Sequence, residues 1–265
     1  MLATLLALGA AIGFAIGNIL QKNGLKACEN LQGRAFWWTA VRQWDWLIGM
    51  GLIISATFSG WAANMWGDLS IVQPLISVNP VISIILAHYF LKESAGRWQV
   101  VALGLTILSI VLLSMERSTE ASEIVNERSY VSLVVLGFLI LLGVFYKFPH
   151  FSEGLGLSIR SGICFAGVAI ALKFSQLEGS FNEIVIACFV VFHFVGFLLS
   201  QKALSRAPVK LVIPVSALLG MFIPVVIGWT LLGETVNLNR ILALALAMVS
   251  FFYFAKEGKP LVSNR

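Results

Sequence analysis

Nine stretches of 17 to 23 mostly apolar residues run along this 265-residue chain, which carries only 18 Lys/Arg and 13 Asp/Glu. They are Leu2–Gln21, Trp46–Trp66, Ser70–Phe90, Trp98–Met115, Tyr130–Tyr146, Gly156–Ser175, Glu183–Ala203, Val209–Leu231 and Leu238–Phe254. A helix needs about 20 apolar residues to cross a hydrocarbon core of roughly 30 Å, because each residue rises about 1.5 Å. Charged side chains make up 12% of the chain, against about a quarter in a soluble domain, so no water-soluble core accommodates the rest. The runs are continuous and do not alternate in ten-residue segments, and lipid obliges each backbone N–H to bond within its own segment. Helices are therefore expected, not a barrel. The expected fold is an all-α integral membrane protein of nine transmembrane helices.

No basic residue precedes the first span, and its first positive charges, Lys22 and Lys26, follow it, so it reads as a retained helix and not a cleaved signal peptide. Cys28, Cys164 and Cys188 are odd in number, and two fall inside spans; they form no disulfide framework or metal spacing and read as small buried hydrophobes.

Alternate loops lie on opposite faces of the bilayer, so the basic residues sort into two groups. The face reached after the first span carries thirteen: Lys22, Lys26, Arg34, Arg42, Lys92, Arg97, Lys147, Lys202, Arg206, Lys210, Lys256, Lys259 and Arg265. The other carries four, Arg117, Arg128, Lys173 and Arg240. The positive-inside tendency then puts the N-terminus outside and the C-terminus in the cytoplasm, in a bacterial inner membrane. The net charge of +5 has the same origin. Because the cations are dispersed over short loops, they point to lipid headgroups as partners and not to nucleic acid.

Two connections exceed tight turns. Residues 22–45 place Phe36, Trp37, Trp38 and Trp44 among basic residues, which suits a short segment in the headgroup zone. Residues 116–129, with Glu116, Glu120, Glu123 and Glu127, read as a solvated external linker between two halves.

The chain also matches itself weakly in four places, in one order. Ile12-Gly13-Phe14-Ala15 with Ile19 and Lys22 aligns with Ile163-Cys164-Phe165-Ala166, Ile170 and Lys173. Val72-Gln73-Pro74 aligns with Val212-Ile213-Pro214, and Phe90-Leu91-Lys92-Glu93-Ser94 with Leu231-Leu232-Gly233-Glu234-Thr235. Ala102-Leu103, Leu105 and Ser109 align with Ala243-Leu244, Leu246 and Ser250. The first four spans thus correspond to the last four, and the lone fifth span turns the second set upside down. The predicted organisation is a first repeat over 1–115, a linker and central helix over 116–150, and an inverted repeat over 151–265. Inverted repeats supply secondary transporters with two related conformations, the substrate being held near the midplane at the repeat interface.

In both halves a proline-bearing helix runs into Leu-Lys-Glu or Leu-Gly-Glu and then a Gly/Ala-rich helix: Gln73-Pro74 to Leu91-Lys92-Glu93, and Ile213-Pro214 to Leu232-Gly233-Glu234. These blocks resemble the paired EamA-type repeats of the drug/metabolite transporter superfamily. The opening Gly13-Phe14-Ala15-Ile16-Gly17-Asn18-Ile19-Leu20-Gln21-Lys22-Asn23-Gly24-Leu25 is similar in pattern to the first helix of the branch that includes NIPA-type magnesium transporters, which also has nine spans. The resemblance implies fold more strongly than substrate.

Intramembrane polar groups are the candidates for substrate contact. With the charges at span ends assigned to the membrane faces, Arg160 is the one charge read as intramembrane; its role is either to snorkel to the nearby interface or to meet an anion. Asn79-Pro80 stands mid-span, where proline should kink a continuous helix and free the Ile76 carbonyl; Pro224 should do the same to Gly220. Pro80 and Pro224 are the predicted hinges and Asn79 the preferred midplane contact. Asn18, Asn64, Gln73 and Trp61 are expected to line the same cavity, the amides alternatively bridging helices. His193 and His88 are the titratable members, or else packed histidines. Glu93 and Glu234 read as caps of the helices that follow them.

No acidic side chain lies within the interior of any span, which speaks against carboxylate-centred proton exchange and a dehydrated magnesium site. No metal or cofactor is implied. The absence of any Ser/Lys, paired-Asp or His-Glu-x-x-His constellation speaks against an enzyme. The expectation is a secondary transporter, monomeric or homodimeric, moving a small polar or zwitterionic metabolite by alternating access. A magnesium permease recognising a partly hydrated ion is the alternative.

Overall fold

The computed structural model describes residues 2–66, 72, 75–94, 96–114, 151–177, 183–231 and 237–257. Among these residues there is no strand. The helices are α1 (Leu2–Leu25), α2 (Gly33–Ala40), α3 (Trp44–Trp66), α4 (Asn79–Leu91), α5 (Arg97–Ser114), α6 (Glu153–Leu177), α7 (Glu183–Arg206), α8 (Val209–Leu231) and α9 (Leu238–Glu257), with a 3-10 turn at Lys26–Cys28. The protein is an all-α integral membrane protein. Five helices, α1, α3, α6, α7 and α8, contain stretches long and apolar enough to cross a bilayer, while α4, α5 and α9 hold shorter apolar segments. The expected span at 130–146, and the acidic linker before it, lie outside the described residues.

Several helices outrun their apolar stretches. α1 continues through Gln21 and Lys22 to Leu25, and α7 through Lys202 to Arg206. Gln, Lys and Arg are good helix formers, so a change in polarity does not end the backbone hydrogen-bond ladder. One expectation is corrected as a result: Lys22, assigned to the loop after the first span, sits inside α1 and is 9% exposed.

A second correction concerns the span drawn from Ser70 to Phe90. The chain makes a turn at Ser77–Val78, and α4 begins afresh at Asn79 with Pro80 in its first turn. A proline there forfeits no intrahelical bond, since the first N–H groups of any helix lack partners. Asn79-Pro80 therefore opens a helix and does not kink one. At 13 residues α4 is about 20 Å long, too short to cross the hydrocarbon core alone. Pro224, by contrast, lies inside α8 as expected.

The helices meet through small residues. Each would-be Cβ at Gly17 and Gly49 falls within 3 Å of the other glycine's carbonyl oxygen, so α1 and α3 approach backbone to backbone. Between such helices apolar burial adds little, because lipid is equally apolar, and close packing supplies the attraction. α6 packs on both α7 and α8, α1 on both α3 and α4, α5 on α9, and α4 on α8. Hydrogen bonds join α5 and α9: Ser109 donates to the Ala243 carbonyl at 2.7 Å, Ser250 to the Ala102 carbonyl at 2.7 Å, and the Thr106 and Ser250 hydroxyls lie 2.8 Å apart. Trp98 stacks on Tyr253 at 5.2 Å along the same pair.

The segment after α1 forms α2, which buries Phe36 and leaves Trp38 exposed under the Arg42 guanidinium, 4.6 Å from the ring centre. Cys28 and Cys164 are buried and Cys188 is half-buried, all as free thiols.

Candidate functional site

Two stripes of α1 are buried for different reasons. Gly13, Gly17 and Gly24 face α3. Ala11, Ala15, Asn18 and Lys22, spaced by four, three and four residues, form a second buried stripe on another flank. Besides α3, α1 packs against α4, α7 and α8, so this second stripe belongs to the seam between the N-terminal and C-terminal halves of the chain. Opposite it, α4 buries Pro80, Ser83, Ile84 and Ala87.

This seam joins three polar features. The first is the start of α4, where the Ser83 hydroxyl donates to Asn79 Oδ1 at 2.9 Å. Asn79 is half-buried. The second is a pair of amide side chains with no water-facing surface, Gln21 at 0% and Gln201 at 1% exposure. Gln201 Nε2 donates to Gln21 Oε1 at 2.8 Å, and Trp46 Nε1 donates to Gln201 Oε1 at 2.8 Å. Gln21 Nε2 points at the Met50 sulfur, 3.8 Å away. These bonds tie α1 and α3 to α7 near the ends that carry most basic residues, here termed the basic end.

The third feature is Glu93, just past α4. Its two carboxylate oxygens accept the backbone N–H groups of Val209 (3.0 Å) and Lys210 (3.1 Å). The predicted capping role holds, but the helix capped is α8 of the other half and not the one that follows in sequence. A carboxylate here satisfies two of the four unpartnered donors of that helix and meets the positive end of its dipole. Lys210 Nζ also donates to the Ser94 carbonyl, and Arg206 pairs with Glu153 between α7 and α6.

The other predicted contacts are spread out. Asn18 is 9% exposed on the seam. Arg160 lies seven residues into α6, half-buried, about 10 Å from the helix start and so deeper than a span beginning at Gly156 implied. His193 of α7 lies against Phe189, at 5.8 Å between ring centres, and edge-on to Phe165 of α6 at 6.1 Å. His88 is exposed near the end of α4, its Nδ1 3.2 Å from the Glu93 carbonyl oxygen. Trp61 is 61% exposed, on a flank of α3 away from the Gly49, Ala56 and Gly60 side that meets α1. Asn64 belongs to α3, and Gln73 lies outside the described residues. Among the described residues no three His, Cys, Asp or Glu side chains group as metal ligands.

The structure thus brings Asn18 and Asn79 onto packed helices and keeps Trp61 and His88 apart from them. It adds Lys22, Ser83, Gln21 and Gln201. A signal for the last two existed in the sequence: Gln21-Lys22 and Gln201-Lys202 both stand where an apolar run gives way to charge.

The EamA-like transporter family model matches residues 32–115, which run from the approach to α2 through α5. A curated relative from Arabidopsis thaliana, "Probable magnesium transporter NIPA6", is 22% identical over 170 residues, covering 60% of this chain and 52% of the relative. The chain spans about half the length of that relative. No solved structure matches. With the apolar helices described above, these similarities identify an all-α integral membrane protein that carries an EamA-like segment and resembles the drug/metabolite transporter superfamily.

Proposed function

We propose that this protein is a secondary transporter that moves a small polar or zwitterionic metabolite by alternating access, with residues 1–115 and 151–265 as inverted halves and the basic end in the cytoplasm. The observation that carries the reading is the reciprocal bonding of α5 and α9. Ser109 and Ala102 align with Ser250 and Ala243 in the internal repeat, and each serine bonds the alanine carbonyl of the opposite helix. Two equivalent elements joined through equivalent atoms are what a pseudo-twofold axis requires. The other helix pairs agree with it: α1 with α3 answers α6 with α7, and α1 with α4 answers α6 with α8.

The turn before α4 and Pro224 inside α8 fall in corresponding helices, and interrupted helices at a repeat interface are where transporters hold substrate. Asn79 would supply the amide contact there. In this conformation the Gln21–Gln201–Trp46 bonds and the Glu93 cap close the basic end.

Counterflow in proteoliposomes tests the reading. Preloading with a transported amino acid, amine or phosphorylated metabolite should accelerate uptake of the labelled compound, and Asn79→Ala should reduce it at least tenfold. Absence of counterflow across that panel would reject the metabolite reading. Magnesium permeation is the second reading, favoured by the name of the plant relative. Magnesium entry into the same vesicles, unaffected by the metabolites, would replace the first with the second.

A further inference from the structure

Lys22 is 9% exposed, and among the described residues its ammonium has neither a hydrogen-bond nor an ion-pair partner. Asn18, one turn away on the same stripe, is equally buried, and its amide is equally unengaged among the described residues. The Lys22 stem is packed away while its Nζ, like the Asn18 amide, is not fully enclosed, so both groups can meet a polar partner that reaches the seam. Glu29 and Glu93 are the acidic groups near enough to attract the ammonium. The Glu93 oxygens accept the α8 backbone N–H groups of Val209 and Lys210, and among the described residues no ion pair joins Glu93 to Lys22.

We propose that Lys22 and Asn18 form an anion-recognition pair on the seam, taking the carboxylate or phosphate group of the transported molecule. The amide of Asn18 donates a hydrogen bond to the group whose charge Lys22 neutralises. This rests on the transporter reading and narrows it to substrates with an anionic end. The seam position is what distinguishes Lys22 from an ordinary basic-end lysine: its stripe faces α4, α7 and α8, not lipid. A fixed ammonium at this point attracts an anion and repels a divalent cation, so the inference also weighs against magnesium as cargo.

The test is binding and does not require flux. The full chain in detergent micelles is titrated with sodium acetate and sodium phosphate at ionic strength held constant with chloride, and its thermal midpoint is followed. At least one anion should raise the midpoint of the wild type and of Lys22→Arg, whereas Lys22→Gln should lose at least tenfold in apparent affinity and Lys92→Gln should lose none. In parallel, acetylation of the unmodified protein, read by mass spectrometry, should show Lys22 protected by the same anion while Lys26 and Lys92 are not. This second measurement stands even if Lys22→Gln fails to fold. Neither anion stabilising the wild type, equal stabilisation of Lys22→Gln, or unprotected Lys22 would overturn the pair. So would protection seen only in phosphatidylglycerol vesicles and not in phosphatidylcholine vesicles with added anion, which would assign Lys22 to a lipid headgroup. Intact counterflow with no anion binding would remove this inference alone and leave the transporter reading standing.

Discussion

Ser109 gives its hydroxyl proton to the carbonyl of Ala243, 2.7 Å away and in the other half of the chain. Its counterpart Ser250 returns the bond to Ala102 and also lies 2.8 Å from Thr106 Oγ1. Interhelical bonds of this kind average about 0.6 kcal/mol and reach ~1.7 kcal/mol at most. Ser109→Ala should therefore lower stability within that range, and Ser250→Ala should cost more because it also strips a partner from Thr106. Reversible unfolding in mixed micelles measures both; a larger loss at Ser109 than at Ser250 would contradict the network drawn here.

Gly17→Val should cost about 1–3 kcal/mol, the range for forcing extra carbon into a packed core. Its Cβ would stand 2.9 Å from the Gly49 carbonyl and 2.7 Å from Ile53, and backbone cannot move aside as a side-chain tip can. Gly51→Ala, on the same helix as Gly49 with nothing within 4 Å of its Cβ position, should be neutral or slightly stabilising. Thermal midpoints of the two variants provide the comparison.

Replacing Gln201 by Leu leaves Trp46 Nε1 and Gln21 Oε1 buried without partners, at about 1–3 kcal/mol for each stranded group. Gln21→Leu with Gln201→Leu should cost less than the two single changes added together, because the pair is removed as a unit. The same variants should raise the reactivity of a cysteine placed at Ser205 toward an impermeant thiol reagent added from the basic end. Unchanged reactivity would show that the amide layer does not help to close that end.

Glu93→Ala should remove the cap from α8 at a cost of about 0.5–2 kcal/mol. Glu93→Gln should recover part of this, since an amide retains one acceptor oxygen but no charge for the helix dipole. Hydrogen exchange at Val209 and Lys210 reads the effect locally: both amides should exchange faster in the alanine variant, with α5 unchanged.

Hydropathy located most of the fold because crossing a bilayer imposes one length on every span. The hydropathy span Trp46–Trp66 answers to α3 at Trp44–Trp66, and the span Val209–Leu231 has the bounds of α8. The interruption at Ser77–Val78 is hidden because the run around it is mostly apolar, and a proline inside a hydrophobic run looks alike whether it bends a helix or begins one. Lys22 reads as a loop residue because a charge conventionally marks a membrane boundary, whereas the α1 ladder continues beneath it. Glu93 reads as a cap in the sequence, yet its partner lies 116 residues away, and no local pattern encodes which helix start will be folded against it. The same holds for Gln21 and Gln201, 180 residues apart: each alone is an amide at the rim of a span, and only their juxtaposition makes them a closure.

The interlocked backbones at Gly17 and Gly49 carry a practical consequence for anyone watching this protein change shape. Because neither helix of the contact has a side chain there that can slide or rotate, a pair of spin labels placed on α1 and α3 should hold one separation if the proposed alternating access takes place. A pair on α1 and α7, joined by hinged amide groups instead, is where distance should change.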